Sequence, residues 1–382
     1  MATQFFLPVR VQFGAKALSK LADLLVPADR VFVVTDKGIE AAGIAGAVTA
    51  IVREKGCEYE VFSDVAPNPT SELAAQATEA LRAFGATKIV AVGGGSPLDL
   101  GKIVSALATN SRPLSDYQWN GFDFENPALP YIAIPTTAGT GAEVTRCAVI
   151  GDRGVKKGIN SDRLFAQCAI IDPELMTGLP PFLTATTGMD ALTHAIEAYT
   201  GLKSQPITDA WAEKAIELIG GSLVTACTNG SDVQARTDMA VASLLAGVAM
   251  DQAGLGLVHA MSGPLCTQYH LAHGEANTLL LAPVMRFNAP SCAKRYRRVA
   301  ELLGCDCAGL TDEQAADLAV RTVEDLFHKT GVKVNLAKYG VTADSAQTIA
   351  QGAFKMYMIA NNPRKASEED CKAVFLDMLA NV

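Results

Sequence analysis

The sequence predicts two domains: an α/β domain over residues 1–181, built on a doubly wound parallel sheet, and an all-α domain over residues 182–382. Three observations support this division. Short β-branched runs alternate with helical patterns up to about residue 172. After Leu179-Pro180-Pro181 the strand patterns stop, and from Leu183 onward apolar residues recur three and four positions apart. The length of 382 residues is also sufficient for two domains.

Five short runs of apolar residues supply the predicted strands of the first domain. Strands that alternate with helices form βαβ units in a parallel sheet. Ligands of such sheets bind beyond the carboxyl ends of the strands, so the loops that follow the strands are candidate sites. The runs are Val31–Asp36, Tyr59–Asp64, Lys88–Gly95, Tyr131–Thr136 and Cys168–Asp172.

Helical periodicity dominates the second domain. Its apolar residues fall on one side of each predicted helix, and no linker-like composition separates the two domains. The clearest segments are Asp209–Ile219, Ala235–Met250, Cys292–Leu303, Glu313–Leu326 and Ser345–Met356.

Composition narrows the classes of function. Hydrophobic residues make up 49% and charged residues 19%, which is typical of a compact protein. The net charge of −8, with no basic block, makes nucleic acid and anionic membrane surfaces poor partners. No apolar run has transmembrane length, the first residues do not resemble a leader, and the nine cysteines lack Cys-x-x-Cys spacing. We therefore expect a cytoplasmic protein with reduced thiols.

A glycine-rich loop, Gly93–Lys102, follows the third predicted strand and opens a helix. Its glycines let the backbone approach a phosphate, Ser96 can cap the helix, and the helix N-terminus attracts a pyrophosphate. A plain tight turn explains the same pattern. Asp36 ends the first predicted strand, where it either accepts hydrogen bonds from an adenosine ribose and repels a 2′-phosphate, or caps the next helix.

The turn Pro135–Arg146 follows the fourth predicted strand and is rich in hydroxyl groups and glycine. Thr136, Thr137 and Thr140 suit polar contacts to a ligand. A flexible turn without a ligand is the alternative interpretation.

Four of the five histidines lie between Gly188 and Asn277. Asp190 and His194 are four residues apart in a helical run, so both side chains leave one helix face. His259 and His273 are fourteen residues apart, about 21 Å on an unbroken helix, so we expect breaks at Gly263-Pro264 and His273-Gly274. One carboxylate and three imidazoles suit Fe²⁺, Zn²⁺, Co²⁺ or Mn²⁺. The alternative is that they are ordinary helix residues.

The motifs at Thr187–Tyr199 and Leu255–Asn277 resemble those of the group III, iron-dependent alcohol dehydrogenases, a family that includes lactaldehyde reductase and 1,3-propanediol dehydrogenase. The resemblance extends from about Phe5 to the C-terminus. It implies a Rossmann-like, dinucleotide-binding first domain and a metal-binding and substrate-binding second domain, as in the dehydroquinate synthase architecture. It further implies Fe²⁺, or alternatively Zn²⁺ or Mn²⁺, bound by Asp190, His194, His259 and His273.

The resemblance implies an NAD(H)-dependent alcohol dehydrogenase or aldehyde reductase that transfers hydride between nicotinamide and a short-chain aldehyde or alcohol. The metal ligands would then be catalytic through the ion, together with Lys156 near the nicotinamide ribose. The cofactor-binding residues that it implies are Asp36, Asn68, Gly94, Gly95, Ser96, Asp99, Thr136, Thr137, Thr140, Val149, Lys156 and Leu175.

The chain departs from the family pattern near the predicted metal site, because Gly263 stands where most members have a second histidine. Together with Arg146 and Arg163, Lys355 would add positive charge to the substrate pocket. These changes suggest an anionic aldehyde, such as sulfoacetaldehyde or phosphonoacetaldehyde, and the alternative is a neutral short alcohol or diol. The candidate substrate residues are Cys147, Asp251, Leu255, Gly263, Lys355 and Met358.

Two other classes of protein remain as alternatives. The dehydroquinate synthase and glycerol-1-phosphate dehydrogenase group has a similar two-domain plan, but the complete GMDALTHAIEAY motif favours the alcohol dehydrogenases. A non-catalytic, nucleotide-binding structural module is the more remote alternative. The resemblance also suggests a homodimer or higher homo-oligomer.

Overall fold

The computed structural model describes residues 4–381, which form two compact units. The sheet unit is Leu7–Gly178. The helical unit consists of residues 179–381 and of residues 4–6, which precede the sheet unit in the chain.

A parallel sheet of six strands forms the centre of the sheet unit, in the order β1-β8-β5-β4-β2-β3. Strands β6 and β7 form a separate antiparallel hairpin. The strands are β1 Arg10–Phe13, β2 Arg30–Val34, β3 Glu58–Phe62, β4 Lys88–Gly93, β5 Tyr131–Pro135, β6 Cys147–Asp152, β7 Val155–Asn160 and β8 Cys168–Ile171.

Two hydrophobic clusters pack on the strands of this sheet. One includes Phe32 and Ile89 of the strands and Ile103 of the helix that follows β4, and the other includes Val31 and Val90. Because successive side chains of a strand point to opposite faces, β2 and β4 contribute to both clusters and are buried almost throughout. The helices of this unit are α1 Lys37–Ala41, α2 Ile44–Glu54, α3 Ser71–Phe84, α4 Gly95–Leu107 and α5 Leu114–Trp119. Its 3₁₀ segments are Ala17–Leu24, Ala142–Val144, Asp162–Leu164 and Pro173–Met176.

The direction of strand addition reverses between β2 and β4. The chain adds β3 on one side of β2, and then crosses to add β4 on the other side. In doubly wound sheets the crevice at such a reversal, beyond the carboxyl ends of the strands, is the usual ligand site. The predicted α/β fold and its five strands are therefore confirmed, whereas β1 and the β6–β7 hairpin were not predicted.

The helical unit contains no strand in the part of the chain that the structure describes, which confirms the predicted all-α character. Its helices are α6 Pro181–Thr200, α7 Pro206–Thr228, α8 Val233–Ala253, α9 Leu257–Gln268, α10 His273–Leu302, α11 Asp312–Lys329, α12 Ala346–Phe354 and α13 Glu368–Ala380. Its 3₁₀ segments are Leu336–Tyr339, Ala343–Ser345 and Tyr357–Asn361. No single helix among the described residues is long and apolar enough to cross a bilayer, and α8 with α9 meets those criteria only as a pair bent by 102°.

The expected break at Gly263-Pro264 is wrong, because α9 continues through Pro264 to Gln268. A proline ring clashes with the Cβ of the preceding residue in a helix, and Gly263 has no Cβ. The turn between the two histidine segments instead lies at residues 269–272, where His270 has a positive φ of 59°. The second expected break is close to the observed one, since α10 begins at His273.

Candidate functional site

Four side chains of the helical unit converge on one point, as the sequence predicts. One ligand atom from each of Asp190, His194, His259 and His273 lies within 4.8 Å of the other three. We call these four residues the ligand cluster. The first three side chains are 3–4% exposed, whereas that of His273 is 44% exposed.

Three helices position the ligand cluster. Asp190 and His194 are one turn apart on α6, His259 lies in the first turn of α9, and His273 is the first residue of α10. The α9–α10 turn therefore returns the chain to α6, which allows two histidines fourteen residues apart to meet.

A close backbone crossing fixes the start of α10 against α6. A Cβ atom added to Gly274 would lie only 2.6 Å from the carbonyl oxygen of Thr186 and 2.9 Å from its carbonyl carbon. Real Cβ atoms do not approach a backbone so closely, so a side chain at this position would push the helices apart. Because Gly274 follows His273 directly, the crossing holds that imidazole next to Asp190.

The three distances from the carboxylate to the imidazoles in the ligand cluster suit a single ion. Asp190 Oδ1 is 3.7 Å from His194 Nε2, 3.9 Å from His259 Nε2 and 3.8 Å from His273 Nε2. Nitrogen and oxygen ligands lie about 2.0–2.2 Å from a divalent transition metal, so two ligands of one ion are at most about 4.4 Å apart. The three carboxylate–imidazole distances fall within that limit.

Glu197 supports the ligand cluster from α6. Its carboxylate lies 2.6 Å from His259 Nδ1 and accepts a hydrogen bond of 2.7 Å from the backbone N–H of Val258. A carboxylate at Nδ1 favours the tautomer with the proton on that atom, which leaves the Nε2 lone pair directed into the cluster. Glu197 was not predicted from the sequence, although it lies three residues after His194 and hence on the same helix face.

Burial sets the charge state of His194, and the neighbours of Asp190 set that of the carboxylate. Burial lowers the pKa of His194 from 6.5 to about 4, so its ring is neutral at pH 7 and can offer a lone pair. Burial raises the pKa of Asp190, but the neighbouring imidazoles and the hydrogen bond from Asn277 stabilise its carboxylate more, and the net pKa is lowered. The cluster is thus a carboxylate with neutral imidazole, which suits a divalent cation.

Asn277 is a second residue at this site that the sequence analysis did not identify. Its amide nitrogen Nδ2 lies 2.6 Å from Asp190 Oδ1 and 3.1 Å from both His259 Nε2 and His273 Nε2. Its amide oxygen Oδ1 is buried and has no hydrogen-bond partner among the described residues. Spacing could have indicated it, because Asn277 is one turn after His273.

The predicted cofactor residues of the sheet unit gather at the reversal between β2 and β4. Asp36 follows β2 and caps α1, because its Oδ1 accepts a hydrogen bond of 3.0 Å from Ile39 N. A Cβ added to Gly93, at the end of β4, would lie 3.4 Å from Asp36 Oδ2 and 2.6 Å from Pro97. The carboxylate therefore lies beside the glycine-rich loop.

The loop residues are packed among the predicted threonines. Cβ atoms added to Gly94 and Gly95 would lie 3.5 Å from Thr137 and 3.0 Å from Thr140, respectively. Gly94 is the N-cap of α4 and has no side chain to bond the first N–H groups. Ser96 does not cap the helix as expected, and its hydroxyl instead accepts a hydrogen bond of 3.2 Å from Asn68 N.

Thr136 and Asn68 complete this edge of the sheet. The backbone N–H of Thr136 donates to Gly93 O, whereas its buried hydroxyl oxygen has no hydrogen-bond partner among the described residues. Asn68 has a positive φ of 61°. A buried hydroxyl without a partner and a helix start without a side-chain cap both fit a polar, anionic ligand such as a dinucleotide.

The remaining cofactor residues lie in the β6–β7 hairpin and after β8. Val149 N donates a hydrogen bond of 2.9 Å to Asp99 Oδ2, which ties the hairpin to α4. Lys156 lies on β7, in register with Gly151. Leu175 belongs to the 3₁₀ segment after β8 and packs against a core cluster, so its side chain contributes apolar contact rather than a polar group.

Lys102 of α4, at the end of the glycine-rich segment, is completely buried. Its ammonium donates to Thr145 Oγ1 at 3.0 Å and to Cys147 O at 2.6 Å, and lies 3.7 Å from Asp99 Oδ1. Glu143 is also buried, and burial raises its pKa to about 7 although Lys102 lowers it. We call Lys102, Asp99, Thr145 and Glu143 the lysine cluster.

The candidate substrate residues fall in both units. Cys147 lies on β6, whereas the other five belong to the helical unit. A Cβ added to Gly263 would lie 3.2 Å from the methyl carbon of Met356, so a thioether adjoins the position of the family histidine. His270 is exposed and lies outside the ligand cluster. Of the other candidates, Asp251 accepts a hydrogen bond from the side chain of Gln252, and the carbonyl oxygen of Leu255 accepts one from Asn361. Lys355 is exposed and Met358 is half-buried.

Two family models match the chain and together cover most of it. Residues 8–173 match the model described as iron-containing alcohol dehydrogenase. Residues 184–379 match the model described as the C-terminal part of the Fe-containing alcohol dehydrogenase family. The two matches fall in the sheet unit and the helical unit, respectively.

Individual proteins show the same relationship over the full length. The chain is 35% identical over 381 residues to NAD-dependent methanol dehydrogenase of Bacillus methanolicus, covering 99% of this chain and 100% of the other. The crystal structure of a 1,3-propanediol oxidoreductase is 38% identical, with a TM-score of 0.95 over 99% of this chain and 100% of the other. Sulfoacetaldehyde reductase from Bifidobacterium kashiwanohense, solved in complex with NAD⁺, is 30% identical, with a TM-score of 0.89 over 99% of both chains. The chain thus belongs to the iron-containing alcohol dehydrogenase family and is an NAD-dependent oxidoreductase.

Proposed function

We propose that this chain catalyses hydride transfer between NAD(H) and a short-chain aldehyde or alcohol at a divalent metal, with Fe²⁺ as the ion. The observation that carries the proposal is the convergence of Asp190, His194, His259 and His273, whose ligand atoms lie within 4.8 Å of one another. When bound, the ion supplies Lewis-acid polarisation of the substrate oxygen. The ligand residues hold and orient the ion, and Glu197 keeps the His259 ring in the tautomer that can bind it.

For the cofactor, we propose that NAD(H) binds at the reversal between β2 and β4. The N–H groups at the start of α4 would hold the pyrophosphate, and the hydroxyl of Thr136 would gain a partner. The carboxylate of Asp36 beside Gly93 would accept from the ribose and repel a 2′-phosphate, which favours NAD(H) over NADP(H). The proposed contacts extend to Asn68, Gly94, Gly95, Ser96, Asp99, Thr137, Thr140, Val149, Lys156 and Leu175.

For the substrate, we propose a neutral short aldehyde, reduced physiologically to its alcohol. Support comes from the thioether of Met356, which adjoins Gly263 and offers apolar contact next to α9. Of the three basic residues in the anionic hypothesis, Arg146 pairs with Asp162 at 2.8 Å, and Arg163 and Lys355 are exposed. An anionic aldehyde remains the second candidate, because a sulfoacetaldehyde reductase is among the similar structures.

Membership of the family does not by itself give the oligomeric state of this chain or its location in the cell. We propose a homodimer or higher homo-oligomer in the cytoplasm. Support for the location comes from the cysteines, which are all free thiols. Light scattering of the purified chain would measure the mass of the assembly.

The test of the proposed function is reconstitution of metal-stripped protein under anaerobic conditions. NADH and NADPH oxidation are measured with Fe²⁺, Zn²⁺ or Mn²⁺ and with propanal or sulfoacetaldehyde. We expect Fe²⁺ to restore turnover, NADH to exceed NADPH, and propanal to give the higher kcat/KM. Higher kcat/KM for sulfoacetaldehyde, reduced selectively by Lys355→Ala, would establish the anionic candidate, and no turnover with any metal would refute the proposal.

A further inference from the structure

The amide of Asn277 has more hydrogen-bond acceptors on one side than it can serve. The nitrogen Nδ2 has two hydrogens, yet three acceptor atoms lie within 3.1 Å of it: Asp190 Oδ1, His259 Nε2 and His273 Nε2. On the other side, Oδ1 is buried without a partner among the described residues. One end of the amide is therefore oversubscribed and the other is unsatisfied.

The three acceptors are also the atoms that a cation would use. Each belongs to a residue of the ligand cluster, and the carboxylate of Glu197 at Nδ1 of His259 leaves the Nε2 lone pair of that ring directed into the cluster. An ion at this point cannot share their lone pairs with N–H donors. The favourable arrangement with a cation present is the reverse one, with an oxygen facing the ion.

The amide can present that oxygen by rotation of its end group, which moves the NH₂ group to the position where Oδ1 has no partner among the described residues. A half-turn about its terminal torsion exchanges oxygen and nitrogen while the side chain keeps nearly the same volume. This matters because Asn277 is completely buried and the surrounding residues leave no room for a larger movement. Its position one turn after His273 keeps the amide on the helix face that points at the cluster.

We propose that Asn277 is a fifth residue of the metal centre, whose amide oxygen faces the bound cation and biases the choice of metal. The inference rests on the proposed function only in placing a cation at the ligand cluster. A fifth, neutral oxygen raises the coordination number without changing the charge of the site. Fe²⁺ accepts more than four ligands readily, whereas protein Zn²⁺ sites are mostly four-coordinate, so the oxygen favours Fe²⁺ over Zn²⁺.

The experiment measures metal affinity rather than activity. Metal-stripped wild type, Asn277→Leu and Asn277→Asp are titrated anaerobically with Fe²⁺ and with Zn²⁺ against a chromogenic chelator. Leucine keeps the volume but offers no oxygen, whereas aspartate keeps an oxygen in the same place. The matched control is Asn288→Leu, which removes another buried amide of α10; this amide bonds to Asn362 and, among the described residues, is not hydrogen-bonded to the ligand cluster.

We expect Asn277→Leu to weaken Fe²⁺ binding about 10- to 100-fold relative to Zn²⁺ binding. Asn277→Asp should keep or strengthen Fe²⁺ binding, and Asn288→Leu should leave the Fe²⁺/Zn²⁺ ratio unchanged. The ratio is insensitive to a general loss of stability, and circular dichroism confirms that each variant is folded.

Three results would overturn the inference. Wild-type affinities in Asn277→Leu would show that the amide does not act on the ion. If Asn277→Leu and Asn277→Asp both lost affinity for Fe²⁺ and Zn²⁺ to the same extent, Asn277 would act only as a hydrogen-bond donor to Asp190. If the wild type binds neither metal, the proposed function fails as well, whereas binding by the wild type with an unchanged ratio defeats this inference alone.

Discussion

Two buried polar clusters among the described residues, the lysine cluster and the ligand cluster, differ in whether their polar groups are satisfied. In the lysine cluster, the Lys102 ammonium has a hydroxyl, a carbonyl and a carboxylate around it. In the ligand cluster, one ligand atom from each of three imidazoles and a carboxylate lies within 4.8 Å of the others, and the amide nitrogen of Asn277, with two hydrogens, lies within 3.1 Å of three of these residues' atoms. The comparison indicates that Lys102 stabilises one arrangement of the groups around it, whereas the ligand cluster is arranged to bind a ligand.

The largest expected effect comes from removing a ligand. In His259→Ala we expect metal affinity to fall by more than about a hundredfold, because the loss of a direct ligand exceeds the effect of a supporting residue. NADH oxidation should fall to background. Metal content after dialysis and turnover with propanal are the measurements. His270→Ala is the control, since this exposed histidine lies outside the cluster, and a metal-replete His259→Ala protein would contradict the assignment.

Removing the lysine should damage stability instead. Lys102→Met leaves Asp99 and Glu143 without their buried cation, so we expect the free energy of unfolding of the sheet unit to fall by about 3–5 kcal/mol. Urea unfolding followed by Trp119 fluorescence, in a Trp211→Phe background, reports on this unit. Lys20→Met removes an exposed pair with Asp23 and should have no measurable effect. If Lys102→Met lost Fe²⁺ binding but kept its stability, Lys102 would serve the metal site and not the stability of the sheet unit.

The lysine cluster also predicts a pH dependence through Glu143. Burial raises its pKa from 4.5 to about 7, so between these values the folded protein holds a proton that the unfolded chain has released. The free energy of unfolding should therefore fall as the pH rises from 4.5 to 7, by up to roughly 3 kcal/mol, and this contribution should stay constant above pH 7.

Glu143→Gln tests this dependence, because glutamine has nearly the same shape and does not titrate. The difference in free energy of unfolding between the variant and the wild type should grow from about pH 4.5 to about pH 7 and then level off. Subtracting the two curves removes the contributions of other titrating groups. A difference that is constant across this range would show that Glu143 is ionised throughout.

The smallest expected effect is at the support of the ligand cluster. Glu197→Gln keeps the shape and the bond from Val258 but loses the negative acceptor at His259 Nδ1. We expect metal affinity to fall about 10- to 100-fold, or about 1.4–2.7 kcal/mol, with the fold intact. Chelator competition measures the affinity. Glu217→Gln, which changes an exposed glutamate of α7 paired with Lys214, is the matched control, and equal affinities in both variants would remove the supporting role.

Local patterns in the sequence were sufficient to predict the strands that are buried on both faces of the sheet. β2 and β4 are buried almost throughout and appear as continuous apolar runs. β1 has four residues, with its ends exposed at the sheet edge, and β7 carries two adjacent lysines, so neither shows such a run. These strands form because a partner strand is available, and that is not visible in a local pattern.

The ligand residues could be found from residue type and spacing, whereas their neighbours Glu197 and Asn277 have a suitable spacing but no distinctive residue type. His and Asp are rare in apolar helical runs, whereas Glu197 and Asn277 are ordinary residues in a helix and gain importance only from what α9 and α10 bring near them. The helix expected to break at Gly263-Pro264 continues, and the glycine that suggested a turn removes one of the clashes of proline in a helix, that with the Cβ of the preceding residue.

The backbone crossing at Gly274 has a consequence for mutational scanning of this protein. Any side chain there would separate α10 from α6, because its Cβ would lie 2.6 Å from Thr186 O. A complete substitution library should therefore show no tolerated residue at position 274, as at the four ligands, although glycine has no group that binds metal. A scan that records only intolerance would thus count Gly274 among the metal-binding residues. Only a screen for rescue by added metal would separate this glycine, which positions the ligands, from the ligands themselves.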